Sequence, residues 1–133
     1  MIFVDTNALI LLIVGLIDKS LISSHKRTSI FESIDFDNLA FGRSFADHML
    51  VAEYADGAWK SVQIQPYGPL SYQPAMMSIH YGQSIFEGMK ANRTASGEVN
   101  IFRPDMNAKR FEESCERMCM PVIPENVFVE LTR

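Results

Sequence analysis

The sequence predicts an α+β fold, an antiparallel hairpin sheet with helices packed on it. Three observations carry this. Asp56-Gly57 lies between two β-prone runs, the strongest short-range hairpin signal. A Thr94-Ala95-Ser96-Gly97 turn separates a second pair of runs, Phe86 to Arg93 and Glu98 to Arg103. Ala108, Phe111, Cys115 and Met118 then recur at helical spacing, which gives a helix one apolar face. At 133 residues, 47% hydrophobic and 21% charged, the chain has the size and composition of one domain with a modest core.

Taken in order, Met1 to Asn7 reads as a short strand, and Ala8 to Ile17 as a buried helix that Thr6 or Asn7 could cap. The ten residues of that apolar run fall short of the ~20 needed to span a bilayer. No cation precedes it, as a secretory signal would require. Ser20 to Glu32, with its serines and the basic His25-Lys26-Arg27, reads as a linker. Residues 1–33 are therefore expected to be an N-terminal extension, and residues 34–133 the domain proper.

Within the domain, Asp47 to Tyr54 and Trp59 to Gln65 form the arms of the first hairpin. Pro66, Pro69 and Pro74 make the next stretch an ordered loop or an edge. Ala75 to His80 reads as a short helix. In His80 to Lys90, Gly82 and Gly88 free the backbone at two points. Between them Ser84, Phe86 and Gly88 share one face of an extended segment, and Ile85, Glu87 and Met89 the other. Spacing alone gives a loop entering a half-buried strand with its aromatics in the core. Asp105 to Cys119 reads as a helix ended by Pro121, and Pro124-Glu125 opens another with Val127, Phe128 and Leu131 on its apolar stripe. That stripe breaks off after about two turns, marginal for a helix, so the C-terminus reads as a cut.

Charge and cysteines exclude some functions. A net charge of -4 runs against a nucleic-acid binder, which carries a basic face. Cys115 and Cys119 are the only cysteines, and the histidines at 25, 48 and 80 are scattered. The two read as reduced thiols packed as small hydrophobes, consistent with the cytoplasm.

From Ile34 onward, five motifs in order resemble the N-terminal domain of the branched-chain amino acid aminotransferases, pyridoxal 5'-phosphate enzymes of fold type IV. They are Phe41-Gly42 with Phe45-Ala46-Asp47-His48-Met49; Ile64-Gln65-Pro66-Tyr67; His80 to Lys90; Ile101-Phe102-Arg103-Pro104-Asp105; and Asn107-Ala108-Lys109-Arg110. The resemblance implies that Arg110 binds the cofactor phosphate, a role suited to an always-charged guanidinium fork. It implies that Phe41 and Phe86 line the pocket for a branched aliphatic side chain, and that Tyr81 reaches the partner's site in a homodimer. Glu87 and Lys90 are read as structural. The implied reaction is amino transfer between leucine, isoleucine or valine and 2-oxoglutarate. The Schiff-base lysine lies in the family's C-terminal domain, and none of Lys19, Lys26, Lys60, Lys90 and Lys109 sits in its context. No catalytic residue is therefore expected in this chain, which alone would be inactive.

Asp5-Thr6-Asn7 at a strand end resembles instead the opening of the PIN-domain ribonucleases. That resemblance implies Asp5 as a ligand for a divalent metal, and metal-dependent RNA cleavage as an alternative function. One carboxylate does not make a metal site, so none is expected. A fused or rearranged start, and a non-catalytic remnant that associates through the family's dimer surface, complete the expectations.

Overall fold

The structure is a computed structural model, and it describes residues 2–4, 9–13, 33–35, 38 and 43–132. Strands β1 (Ile2–Val4), β2 (Leu9–Ile13), β3 (His48–Ala55) and β4 (Ala58–Pro66) precede helix α1 (Met77–Tyr81). Strands β5 (Ile85–Glu87), β6 (Ala91–Arg93) and β7 (Val99–Ile101) follow, then helices α2 (Pro104–Arg117) and α3 (Glu125–Leu131).

The first hairpin forms as its turn chemistry dictates. Asp56 and Gly57 both take positive φ, 51° and 75°, the mirror-image turn whose twist matches the flanking strands. β3 and β4 pair antiparallel from His48↔Pro66 to Ala55↔Ala58, with a register shift between Ala52 and Tyr54. Lys60 reaches back to Asp56 at 3.4 Å. The expected α+β class is what the chain adopts, but its strands form three separate antiparallel ladders, β1-β5, β2-β3-β4 and β6-β7. The second hairpin is accordingly shorter than expected. Its first arm is β6 alone, because extended structure stops over Gly88, Met89 and Lys90, where a glycine weakens strand pairing.

The expected helix over Ala8 to Ile17 is a correction. Leu9–Ile13 is a strand, paired antiparallel with β3 from Leu9↔Glu53 to Ile13↔Met49. An apolar run without periodicity does not distinguish strand from buried helix, and here pairing with β3 satisfies the backbone groups. Thr6, Asn7 and the linker at Ser20 to Glu32 lie outside the described residues.

α2 begins where Arg103 turns the chain in the left-handed region (φ 49°), with Pro104 in the first helical turn, where its missing N–H is no loss. Ala108, Phe111 and Cys115 are buried along one face as the spacing predicts, and Met118 packs against the core. Phe128 of α3 meets Phe111 with ring centroids 5.2 Å apart. Leu50, Ala52 and Ile64 of the β3-β4 hairpin complete that core with Ile85 of β5. Val127, expected on the buried stripe, is exposed; in a helix as short as Glu125–Leu131, Phe128 carries the contact instead. Trp59 Nε1 donates to the Val122 carbonyl at 3.1 Å, tying β4 to the segment between α2 and α3.

Candidate functional site

The stretch from Gln83 to Gly88 lies alongside α2 and is fastened to it at both ends. Gln83 Nε2 donates to the Met118 carbonyl at 2.7 Å. Glu87 accepts from Asn107 and Arg110. Gln83 is tied to the C-terminal end of α2 and Glu87 to its first two turns, so the stretch and the helix run in opposite directions.

Glu87 is the one buried charged residue among those described, at 3% exposure. A buried carboxylate persists only when its oxygens are satisfied, and these are. Oε1 accepts the Gly88 backbone N–H at 2.8 Å and Asn107 Nδ2 at 2.9 Å, as well as Arg110 Nη2. Oε2 accepts Arg110 Nε at 2.7 Å. Asn107 also donates to the Gly88 carbonyl at 3.1 Å. Burial pushes the carboxyl pKa up, but the hydrogen bonds from Arg110, Asn107 and Gly88 outweigh it, and the net shift is down. The same hydrogen bond, with the charge of Glu87 behind it, pushes the Arg110 guanidinium up.

Among the described residues, Arg110 is gripped along one edge, by Glu87. Of the five N–H groups of a guanidinium, one on Nε and one on Nη2 face Glu87, and the side chain is still 65% exposed. Nη1 and the outer proton of Nη2 are left as a second edge with the fork geometry that matches two phosphate oxygens. The donor set therefore fits a phosphate ester.

Phe86 is the middle residue of β5, flanked by buried Ile85 and Glu87 and itself 73% exposed. Strand alternation puts it on the face away from Glu87, and so away from α2. Tyr81 ends α1 at 78% exposure, just before Gly82 takes the left-handed conformation at φ 63°. The expectation that the aromatics of this stretch form core is thus corrected. The inward face belongs to Ile85 and Glu87, because Glu87 finds its partners on α2. Among the described residues the hydrogen bonds and ion pair of Arg110 go to Glu87, not to Phe86 or Tyr81. Phe41 and Asp5 lie outside them.

Glu87, read from the sequence as structural, and Asn107, read only as part of a motif, are the residues that gather around Arg110. A signal existed: Glu87 shares one face of the extended segment with apolar Ile85 and Met89, and Asn107 and Arg110, three apart on a helix, share a face. Among the described residues no three His, Cys, Asp or Glu side chains gather as a metal-ligand set. None of the described helices is long and apolar enough to cross a membrane. Of the two free thiols, Cys115 is buried as expected of a small hydrophobe, but Cys119, expected to pack likewise, is exposed.

Comparison with known proteins places the chain beside aminotransferases. It is 45% identical over 111 residues to branched-chain-amino-acid transaminase 1 of Bacillus subtilis, covering 83% of this chain and 31% of that protein. It is 44% identical over 97 residues to the branched-chain-amino-acid aminotransferase of Mycolicibacterium smegmatis, covering 72% of this chain and 26% of the relative. The cytosolic branched-chain-amino-acid aminotransferase of Saccharomyces cerevisiae is 45% identical over 94 residues, 70% of this chain and 25% of the relative. The chain thus spans less than a third of the length of these curated relatives, none of which is a nuclease. No family model matches it.

Proposed function

We propose that this chain, which carries 31% of the length of a branched-chain aminotransferase at 45% identity, forms part of a pyridoxal 5'-phosphate site. Its share is the grip on the cofactor phosphate and a wall for the substrate side chain. The carrying observation is Arg110, anchored to Glu87 along one edge and open along the other. In this reading Arg110 binds the phosphate, and Phe86 and Phe41 present apolar surface to a branched aliphatic group. Such a group has no polar handle, so shape and apolarity select it, at about 1–3 kcal/mol per methylene. Tyr81 faces the partner subunit's site in a homodimer.

When bound, the cofactor supplies the electron sink for amino transfer. The substrates are leucine, isoleucine or valine with 2-oxoglutarate, in the cytoplasm. Residues 34–133 are the unit that does this work, and residues 1–33 are an extension to it. None of Lys19, Lys26, Lys60, Lys90 and Lys109 matches the family's Schiff-base position, so the chain by itself binds and does not turn over.

Equilibrium dialysis against pyridoxamine 5'-phosphate tests the first half. The expected result is binding by the wild-type chain that Arg110→Gln abolishes; equal binding by both overturns the role of Arg110. For the second half, the purified chain given leucine, 2-oxoglutarate and cofactor is expected to form no glutamate beyond a no-enzyme control. Sustained turnover would refute it.

A further inference from the structure

A guanidinium on a long side chain is a poor phosphate ligand until something holds it still. Arg110 projects from α2 with its side chain 65% exposed, and its rotamer freedom in water would have to be surrendered on binding. Glu87 removes that freedom beforehand. It is immobile because β5 carries it inward, and because the Gly88 N–H and Asn107 hold Oε1. Its two oxygens then take Nε and Nη2 of Arg110 together, which sets the plane of the guanidinium as well as its position. The other edge is not engaged by Glu87, and the side chain remains 65% exposed.

We propose that Glu87 is a positioning residue for anion binding: it orients Arg110 so that Nη1 and Nη2 are presented together to a phosphate monoester, with Asn107 and the Gly88 N–H bracing the carboxylate. The inference rests on the reading of Arg110 as the phosphate ligand and adds the group through which Arg110 acts. The opposite effect of Glu87 is equally definite in sign. Its charge cancels that of Arg110, and an anion approaching the pair meets less net attraction than one approaching a lone arginine. Orientation and neutralisation therefore predict opposite outcomes when the carboxylate is removed.

The test compares pyridoxamine 5'-phosphate with pyridoxamine, using the whole chain. Neither ligand has an aldehyde, so neither condenses with exposed lysines, and the ratio of their affinities isolates the phosphate. The wild-type ratio should be well above one, and Arg110→Gln should bring it to one. Glu87→Gln should lower it about tenfold, the loss of one well-formed guanidinium contact to phosphate, and should change nothing further in the Arg110→Gln background. Because Glu87→Gln disturbs a buried site, Asn107→Ala serves as a second variant. It keeps the ion pair, loosens the brace on Oε1, and should lower the ratio in the same direction by a smaller factor.

A ratio in Glu87→Gln equal to or above wild type overturns the proposal and leaves Arg110 as the phosphate ligand. So does a full Glu87→Gln effect persisting without Arg110, or an unchanged ratio in Asn107→Ala. A wild-type ratio of one removes the reading of Arg110 itself, and this proposal with it.

Discussion

At the scale of single residues, the buried carboxylate of Glu87 contributes to how the protein responds to acid. Its folded-state pKa lies below the ordinary 4.5, so the unfolded chain takes up the proton first as pH falls. The stabilisation from this group is therefore complete above about pH 5 and drains away as pH drops through 4.5 and on through the depressed folded value. Urea midpoints measured from pH 7 to pH 3 should fall faster in the wild type than in Glu87→Gln. That variant should start about 1–3 kcal/mol less stable at pH 7, having lost the charge-assisted hydrogen bonds that Arg110 Nε and Nη2 give the carboxylate. Parallel curves would assign the acid response to other groups. The two thiols offer a second measurement. Cys115 is pushed up to about 11 by burial and by the nearby Glu112 and Glu116, whereas Cys119 is exposed. Only the thiolate reacts, so iodoacetamide on the native chain at pH 8 should label Cys119 and spare Cys115. Equal labelling would mean that α2 opens on the timescale of the reaction.

At the scale of elements, legibility followed the range of the forces involved. The β3-β4 turn was legible because Asp-Gly meets a local demand, positive φ at two successive positions. α2 was legible because a buried face leaves its period in the sequence. The strand at Leu9–Ile13 was not, since its unbroken apolar run satisfies strand and buried helix alike, and pairing with β3 chose between them. The orientation of β5 was not legible for a related reason. Alternation separates Ile85 and Glu87 from Phe86 but does not say which face turns in. Asn107 and Arg110, 20 and 23 residues further along, settle it by meeting the carboxylate. The contrast can be measured. Phe111→Ala removes a ring from the centre of the core and should cost about 3–5 kcal/mol. Phe86→Ala removes an exposed one and should stay within about 0.5 kcal/mol. A large cost at Phe86 would show that its ring is covered in the folded chain and return it to the core.

At the scale of the whole molecule, the apolar surface is unevenly spent. The core joins the β3-β4 hairpin, β5, α2 and α3, while Met77, Ile79, Tyr81 and Phe86 stand exposed within one ten-residue stretch. Exposed apolar surface concentrated in this way marks an interaction face. A net charge of -4 opposes association, but only over a Debye length, about 10 Å at 0.1 M salt. The burial of aromatic and aliphatic side chains that drives it is not screened. The chain should therefore self-associate, and raising the salt should strengthen association as the mutual repulsion is removed. Sedimentation velocity over a concentration series at low and high salt checks this. The double variant Tyr81→Ser with Phe86→Ser should move the distribution toward monomer at both salts, without loss of helical circular dichroism, because neither side chain belongs to the core. A wild-type chain that stays monomeric throughout would mean that these side chains lie too far apart to form one face. Association that dissolves in salt would instead place the contact on charged residues.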